Sequence, residues 1–361
     1  MTIDRRTFVG ALAGPVLLRA ERRWRAALAH QSPRHIIDGL GEIRIEYDTA
    51  LLDEIRASGL TGALVTVGNP ALPGATAFQD MADEVAAYER HIATHASRLE
   101  LLRSGTGFDR AASAGRIGIL LYTQNASPLE DDVDRVAVLR QLGVRVIQLT
   151  YNTRNLLGDG CLERTNVGLS TFGLEVVARM NTERMLVDVS HCGEATSLDA
   201  MHHSTAPVVV THSGCRAVFD HPRNKSDQVL RTMADGGGMI GIMQLNPYLG
   251  PRERNTLEEY MAHIDHAIDV AGVEHVGIGS DREYKTIPDT EAERLRLEQE
   301  LARLRPSTST GFRWPFFLSE LNHPRRMETI AEALRRRGRS AREVDLIMGG
   351  NFRRLFGEVL G

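Results

Sequence analysis

The chain has 361 residues, 42% of them hydrophobic and 25% charged, which is enough apolar content for a large buried core. The formal net charge is −4 and the pI about 6.4, so no basic field is available for nucleic acid or an anionic membrane surface. Aromatic residues make up only 5%, too few for a base-stacking platform, and three cysteines (Cys161, Cys192, Cys215) without a CxxC pair argue against a disulfide framework.

The N-terminus carries Arg5-Arg6 ahead of Thr7-Phe8, a short apolar run over 9–18, and Ala27-Leu28-Ala29 beyond it. That order fits a twin-arginine export signal with an A-x-A cleavage site, and hence a periplasmic protein. Against it, Arg19, Glu21, Arg22, Arg23 and Arg25 crowd the segment before the cleavage site. The other reading is an unprocessed extension on a cytoplasmic protein. The run is too short to span a bilayer, and no other segment reads as transmembrane. Residues 1–30 are set apart as signal or extension, and 31–361 as one domain.

From residue 35 onward, β-rich runs alternate with helical patterns. Strands are predicted at 35–41, 62–68, 116–124, 144–152, 185–191, 207–213, 239–245 and 275–281. Most are continuous apolar stretches such as Val208-Val209-Val210-Thr211, the pattern of strands buried on both faces. Helical patterns fall at 77–103, 129–142, 172–180, 195–202, 226–234 and 257–270; Val133, Val136, Leu139 and Leu142 form one stripe of the second. Residues 284–324, rich in Glu, Arg and Pro, read as a long excursion. Closing helices follow at 327–337, 341–348 and 352–360, the last with Asn351 as its N-cap. Eight strands alternating with helices predict a parallel (β/α)8 barrel, the TIM-barrel fold of the α/β class. A doubly wound sheet is the rival, but no glycine-rich phosphate turn follows the first strand.

Barrel enzymes carry their chemistry at the C-terminal ends of the strands. The predicted strands close at or beside Gln124, Tyr151, His191, His212 and Asp281. Two imidazoles on neighbouring strands can converge on one metal ion, whereas a lone strand-end histidine is more often a hydrogen-bonded structural residue. Asp281 suits a general acid/base or a ligand, or else a cap or ion-pair partner. Arg223, in His221-Pro222-Arg223-Asn224, offers a fork for a substrate carboxylate, or is a solvated loop arginine. Tyr248 either lines the pocket or packs within its loop. The other histidines, His202, His203 and His221 among them, read as surface or loop residues. Cys192 and Cys215 read as small buried residues near the rim.

Taken together, these residues resemble the membrane (renal) dipeptidase family, zinc peptidases on a metal-dependent-hydrolase (β/α)8 barrel. The resemblance runs from about residue 35 to the C-terminus. It rests on Val187-Asp188-Val189-Ser190-His191, on Ala206-Pro207 through Thr211-His212-Ser213, and on Pro222-Arg223-Asn224. His275-Val276-Gly277 through Asp281 and Gly349-Gly350-Asn351-Phe352 complete it. It implies that His191 and His212 form the family's second zinc position, that Arg223 holds the substrate's free carboxylate, that Asp281 shuttles a proton at the scissile amide, and that Tyr248 lines the pocket. It also implies a homodimer.

The departures fall on the family's first zinc position. Where the family's first strand ends Asp-Gly-His-x-Asp, this chain has Asp38-Gly39-Leu40-Gly41-Glu42, and leucine cannot ligate. The bridging glutamate aligns with Gln124, a poorer ligand, and a substrate-binding histidine aligns with Tyr151. The expectation is therefore one zinc ion rather than two, held by His191 and His212 with Asp281, Glu42 or Gln124 and water. Glu42 is otherwise a carboxylate hydrogen-bonded at the rim. The expected activity is hydrolysis of a small amide such as a dipeptide by metal-activated water. Asp281 then protonates the leaving amine, and Arg223, Tyr151 and Tyr248 bind the substrate. A non-catalytic relative binding a small carboxylate ligand is the alternative, and lactone or formyl-group cleavage a third option.

Overall fold

The structure, a computed structural model, describes residues 35–304 and 313–361; the signal-or-extension expectation for 1–30 lies outside them. The first half of the chain runs β1 (Ile37–Asp38), β2 (Gly41–Glu42), α1 (Thr49–Ala57), β3 (Gly62–Thr66), α2 (Gly74–Thr94), β4 (Leu99–Leu101) and α3 (Gly107–Ser113). It continues with β5 (Ile117–Thr123), α4 (Arg135–Leu142), β6 (Val144–Gln148), α5 (Thr171–Thr182), β7 (Leu186–Asp188) and α6 (Glu194–His203). Then come β8 (Val209–Ser213), α7 (Asp227–Asp235), β9 (Met239–Ile242), α8 (Leu257–Ala271), β10 (Val276–Ile278) and β11 (Arg282–Glu283). The tail adds α9 (Glu291–Leu304), α10 (Arg326–Arg336), α11 (Ala341–Asp345) and α12 (Asn351–Leu360).

Eight parallel strands close on themselves in the order β3-β1-β10-β9-β8-β7-β6-β5, with β5 pairing back to β3. These are the eight predicted runs, and the fold is a (β/α)8 barrel. Two short pairings lie outside the ring. β2 and β11 pair at the mouth, setting Glu42 opposite Glu283, and β4 pairs with β5 along Ile117–Ile119, below the stretch that β6 takes. Strand β4 falls inside a predicted helix: α2 ends at Thr94, and Leu99-Glu100-Leu101 is too short an alternation to stand out against the helical stripe before it. The excursion after the barrel holds α9, whose exposed face is laced by Arg294 with Glu291 and Glu298 and by Arg296 with Glu293 and Glu300. No helix among the described residues is long and apolar enough to cross a membrane.

The barrel interior is a packed core. Ile37, Leu64, Leu120, Val146, Leu186, Val209 and Met239 meet there, and Phe352 and Phe356 of α12 close it from below. Asn351 is not the N-cap expected of it. Its amide donates to the Val273 and Val276 carbonyls and ties α12 to the start of β10. Toward the mouth, Gly241 and Gly279 leave room for the Thr211 carbonyl; a Cβ on Gly279 would lie 1.9 Å from that oxygen. This close approach seats the end of β8, which carries His212.

His263 corrects the expectation that the remaining histidines are surface residues. It is fully buried in α8, where Nδ1 accepts from the Cys215 N–H (2.8 Å) and Nε2 faces the Leu249 carbonyl (3.1 Å). Accepting at Nδ1 fixes the neutral tautomer, and burial pushes the pKa down to about 4. Between an unfolded value near 6.5 and about 4 the unfolded chain binds a proton that the native chain does not. The stability that neutral His263 supports is therefore complete above pH 6.5 and lost as pH falls, by about 3 kcal/mol near pH 4 at about 1.4 kcal/mol per unit. Urea unfolding at pH 7 and pH 4.5 should show a steep loss in the wild type and a shallower one in His263→Gln. Equal slopes would refute the assignment.

Candidate active site

Two buried aspartates organise the mouth. Asp188, at the end of β7, accepts five bonds. Oδ1 takes the Ser190 N–H (3.0 Å), the Ser190 hydroxyl (2.6 Å) and the Thr211 N–H (3.0 Å); Oδ2 takes the Tyr122 hydroxyl (2.6 Å) and the Thr211 hydroxyl (2.8 Å). One carboxylate thus ties the ends of β5, β7 and β8 together. Ser190 and Thr211 immediately precede His191 and His212, so this knot sets both imidazoles. Burial and the neighbouring Asp188 carboxylate hold the Tyr122 hydroxyl protonated, far above its ordinary range.

The two Nε2 atoms of His191 and His212 end 3.0 Å apart. The opposite nitrogens are both spoken for. His191 Nδ1 lies 2.8 Å from the Asn152 side-chain oxygen, which can only accept, so Nδ1 carries the proton. His212 Nδ1 lies 2.8 Å from Thr211 Oγ1, whose own proton goes to Asp188, so this Nδ1 also donates. Both Nε2 atoms therefore present lone pairs to the same point. His212 is fully buried, and desolvation, reinforced by the Arg223 and Lys225 charges, keeps it neutral far below the usual histidine range. Outer partners that fix a tautomer in this way are what metal-binding histidines require.

Asp38 is the matching knot on the other side. It accepts from the Ser280 N–H (2.8 Å), the Ser280 hydroxyl (2.6 Å), the Tyr284 hydroxyl (2.8 Å) and the Leu40 N–H (3.3 Å), with the Arg326 guanidinium at 3.4 Å. It holds the ends of β1 and β10. Asp281 follows, with its N–H donating to the Leu40 carbonyl (2.8 Å) and its backbone at φ 56°, the left-handed region that Asp tolerates better than most residues. Asn152, the partner of His191, also has positive φ (54°). Asp281 Oδ2 lies 3.9 Å from His212 Nε2.

The other predicted residues fall in place with altered duties. Glu42 Oε1 accepts from the Thr66 hydroxyl (2.5 Å), Gln124 donates to the same Thr66 oxygen (3.0 Å), and Arg44 stands 3.2 Å from Glu42 Oε2. The structure thus joins Glu42 and Gln124 through Thr66. Burial raises the Glu42 pKa, and Arg44 opposes that rise. Arg223 is no solvated loop residue: it is 3% exposed and donates to the Ser190 (2.5 Å) and His212 (2.9 Å) carbonyls. Two of the five N–H groups of a guanidinium are used this way. Lys225 braces the same loop through the Val189 and Cys192 carbonyls. The Tyr151 ring stacks on His191 at 4.4 Å, and Tyr248 is buried beside His221 at 4.9 Å. A cleft of about 260 Å³ gathers Glu42, Gln124, Tyr151, His191, Arg223, Tyr248 and Asp281 on its walls, with His212 beneath.

The donor set fits an ion at the histidine pair and not at the Leu40 position. Leu40 is an apolar core residue; Glu42 gives Oε1 to the Thr66 hydroxyl, while Oε2 is buried without a hydrogen bond, 3.2 Å from Arg44. Among the described residues no group of three or more His, Cys, Asp or Glu is gathered tightly enough to hold an ion unaided, so an ion here needs solvent or substrate to complete its shell.

The membrane dipeptidase model, peptidase family M19, matches residues 42–301, well over half of the 361. The chain belongs to the membrane dipeptidase family. An amidohydrolase from Pseudomonas aeruginosa of known structure is 31% identical, with a TM-score of 0.81 over 91% of this chain and 98% of that one. An uncharacterised protein in the pqqA 5′ region of Klebsiella pneumoniae is 31% identical over 62% of this chain and 86% of its own length. The dipeptidase verJ of Clonostachys rogersoniana is 35% identical over 53% of this chain, and the match spans about half (49%) of that enzyme. The structure brings together the two histidines that strand-end position marks in the sequence. The residues that orient them, Asp188, Asn152 and Thr211, were not singled out. Asp188 carries a signal all the same: a carboxylate inside the apolar run Leu186-Val187-Asp188-Val189 must be satisfied by buried donors.

Proposed function

We propose that the protein hydrolyses small amides that carry a free carboxylate, dipeptides first among them, with a single zinc ion at His191 and His212. Family membership supports a metal-dependent dipeptide hydrolase. The single-ion form rests on one observation: two Nε2 lone pairs converge at 3.0 Å, while the position that the family resemblance gives to the first site's histidine is Leu40, buried in the apolar core. Held by His191 and His212, zinc would supply a water acidified toward neutrality and would polarise the amide carbonyl. The chain's own groups do the rest. Arg223, rigidly seated on two carbonyls, offers its remaining N–H groups to the substrate carboxylate. Tyr248 walls the same end of the cleft. Asp281 stands close enough to deliver a proton to the departing amine. Protein purified without chelators should contain about one equivalent of zinc or a similar ion. Under a tenth of an equivalent, unchanged after incubation with zinc, would overturn this.

A further inference from the structure

We infer that the group on the acyl side of the scissile amide is large and apolar, lodged in a second cavity beyond Tyr151; this deepens, and rests on, the amide-hydrolase proposal above. The cleft over the histidines encloses about 260 Å³, less than the roughly 300–1,000 Å³ of ordinary small-molecule sites. Beside it opens a cavity of about 810 Å³. The two share Pro70 and Tyr151 on their walls.

Their placement on the ring gives the direction. Arg223 and Tyr248 come from the loops after β8 and β9. The larger cavity is built from the loops after β3, β5 and β6, across the barrel. A substrate anchored by its carboxylate at Arg223 and crossing the histidine pair reaches Tyr151 next. The Tyr151 ring, stacked on His191, forms the threshold between the two spaces.

The chemistry of the walls selects the occupant. Leu72, Pro73 and Leu156 supply apolar surface, and the buried Ala126 and Leu157 border it. Two of the charged side chains there are engaged elsewhere, Glu130 with Arg135 and Arg154 with Asp159. The cavity is also preformed. Asn125 donates to the Pro70 carbonyl (2.8 Å), and Asn155 donates to the Asn125 oxygen (2.9 Å) and to the Leu149 carbonyl (2.7 Å), which cross-links the three loops. Leu156 is 58% exposed on this cavity, apolar surface that an apolar acyl group would cover.

The test is binding, which does not depend on turnover. N-acylglycines from acetyl to octanoyl are titrated into the purified protein by calorimetry. Affinity should rise roughly fourfold for each methylene buried. In Leu156→Asp that rise should fall by at least half on a logarithmic scale, with N-acetylglycine bound as in the wild type, and Leu156→Met should preserve it. An affinity that is flat across the series, or a rise that Leu156→Asp leaves untouched, overturns the subsite. Hydrolysis of the same series and of a dipeptide panel, followed in parallel, separates the two proposals: a chain-length rise with no turnover of either supports the subsite and overturns the amide-hydrolase activity.

Discussion

Replacing His212 with Ala should abolish retention of the proposed zinc ion and lower dipeptide hydrolysis by at least about 100-fold, beyond the 10- to 100-fold typical of losing an outer partner. The reason lies in how the pair is built. Neither Nε2 can turn away, because each ring is pinned at Nδ1, by Asn152 in one case and by Thr211 in the other. Without His212 the site keeps one imidazole and a carboxylate, and among the described residues no other histidine lies beside it to replace the lost lone pair. Thr211→Val gives the graded comparison. It keeps both imidazoles but removes the acceptor that fixes the His212 tautomer, so zinc affinity should drop by about 10- to 100-fold while some activity survives at high zinc. The checks are a zinc titration and a steady-state dipeptide assay on each variant. Activity in His212→Ala within threefold of the wild type would remove the histidine pair from the mechanism.

The fold was legible in the chain because a parallel barrel writes itself in a repeated signal. Each strand is an apolar run buried on both faces, and each run is followed by an amphipathic stretch. The strand ends were legible for a related reason: a titratable residue closing an apolar run has few structural explanations, and His191, His212 and Asp281 all stood in that position. What stayed hidden depends on contacts distant in sequence. The Arg223 fork reads as a free binding group until the Ser190 and His212 carbonyls arrive 33 and 11 residues away. Glu42 reads as a carboxylate with both oxygens open until the Thr66 hydroxyl takes one of them and Arg44 stands beside the other. Strand β4 and helix α9 were missed on local grounds, the first because three residues cannot declare a period, the second because its charged face hides a thin apolar stripe. His263 was missed because a histidine that accepts at one nitrogen and faces a carbonyl with the other is fully satisfied in a core, and nothing in its local pattern says so.

Arg326→Met should cost about 3–5 kcal/mol of stability, the range for breaking a buried ion pair by removing one partner. Arg326 and Asp38 are both wholly inaccessible to solvent. The guanidinium lies on the Tyr284 ring at 3.5 Å and donates to the Ser280 hydroxyl (3.0 Å) and to the Glu283 (3.1 Å) and Arg282 (3.2 Å) carbonyls. Methionine fills much of the volume but leaves the Asp38 charge without its cation and two backbone carbonyls without their donor. Because Asp38 and Ser280 join the ends of β1 and β10, the damage also reaches Asp281, whose N–H hangs from the Leu40 carbonyl on the same knot. Urea unfolding of Arg326→Met, Asp38→Ala and the double variant should show the double losing clearly less than the sum of the singles, since each single strands the other's charge. Simple additivity, or a loss under about 1 kcal/mol for Arg326→Met, would mean the pair is passive filling and that the mouth of the barrel is held by the neutral bonds to Asp38 alone.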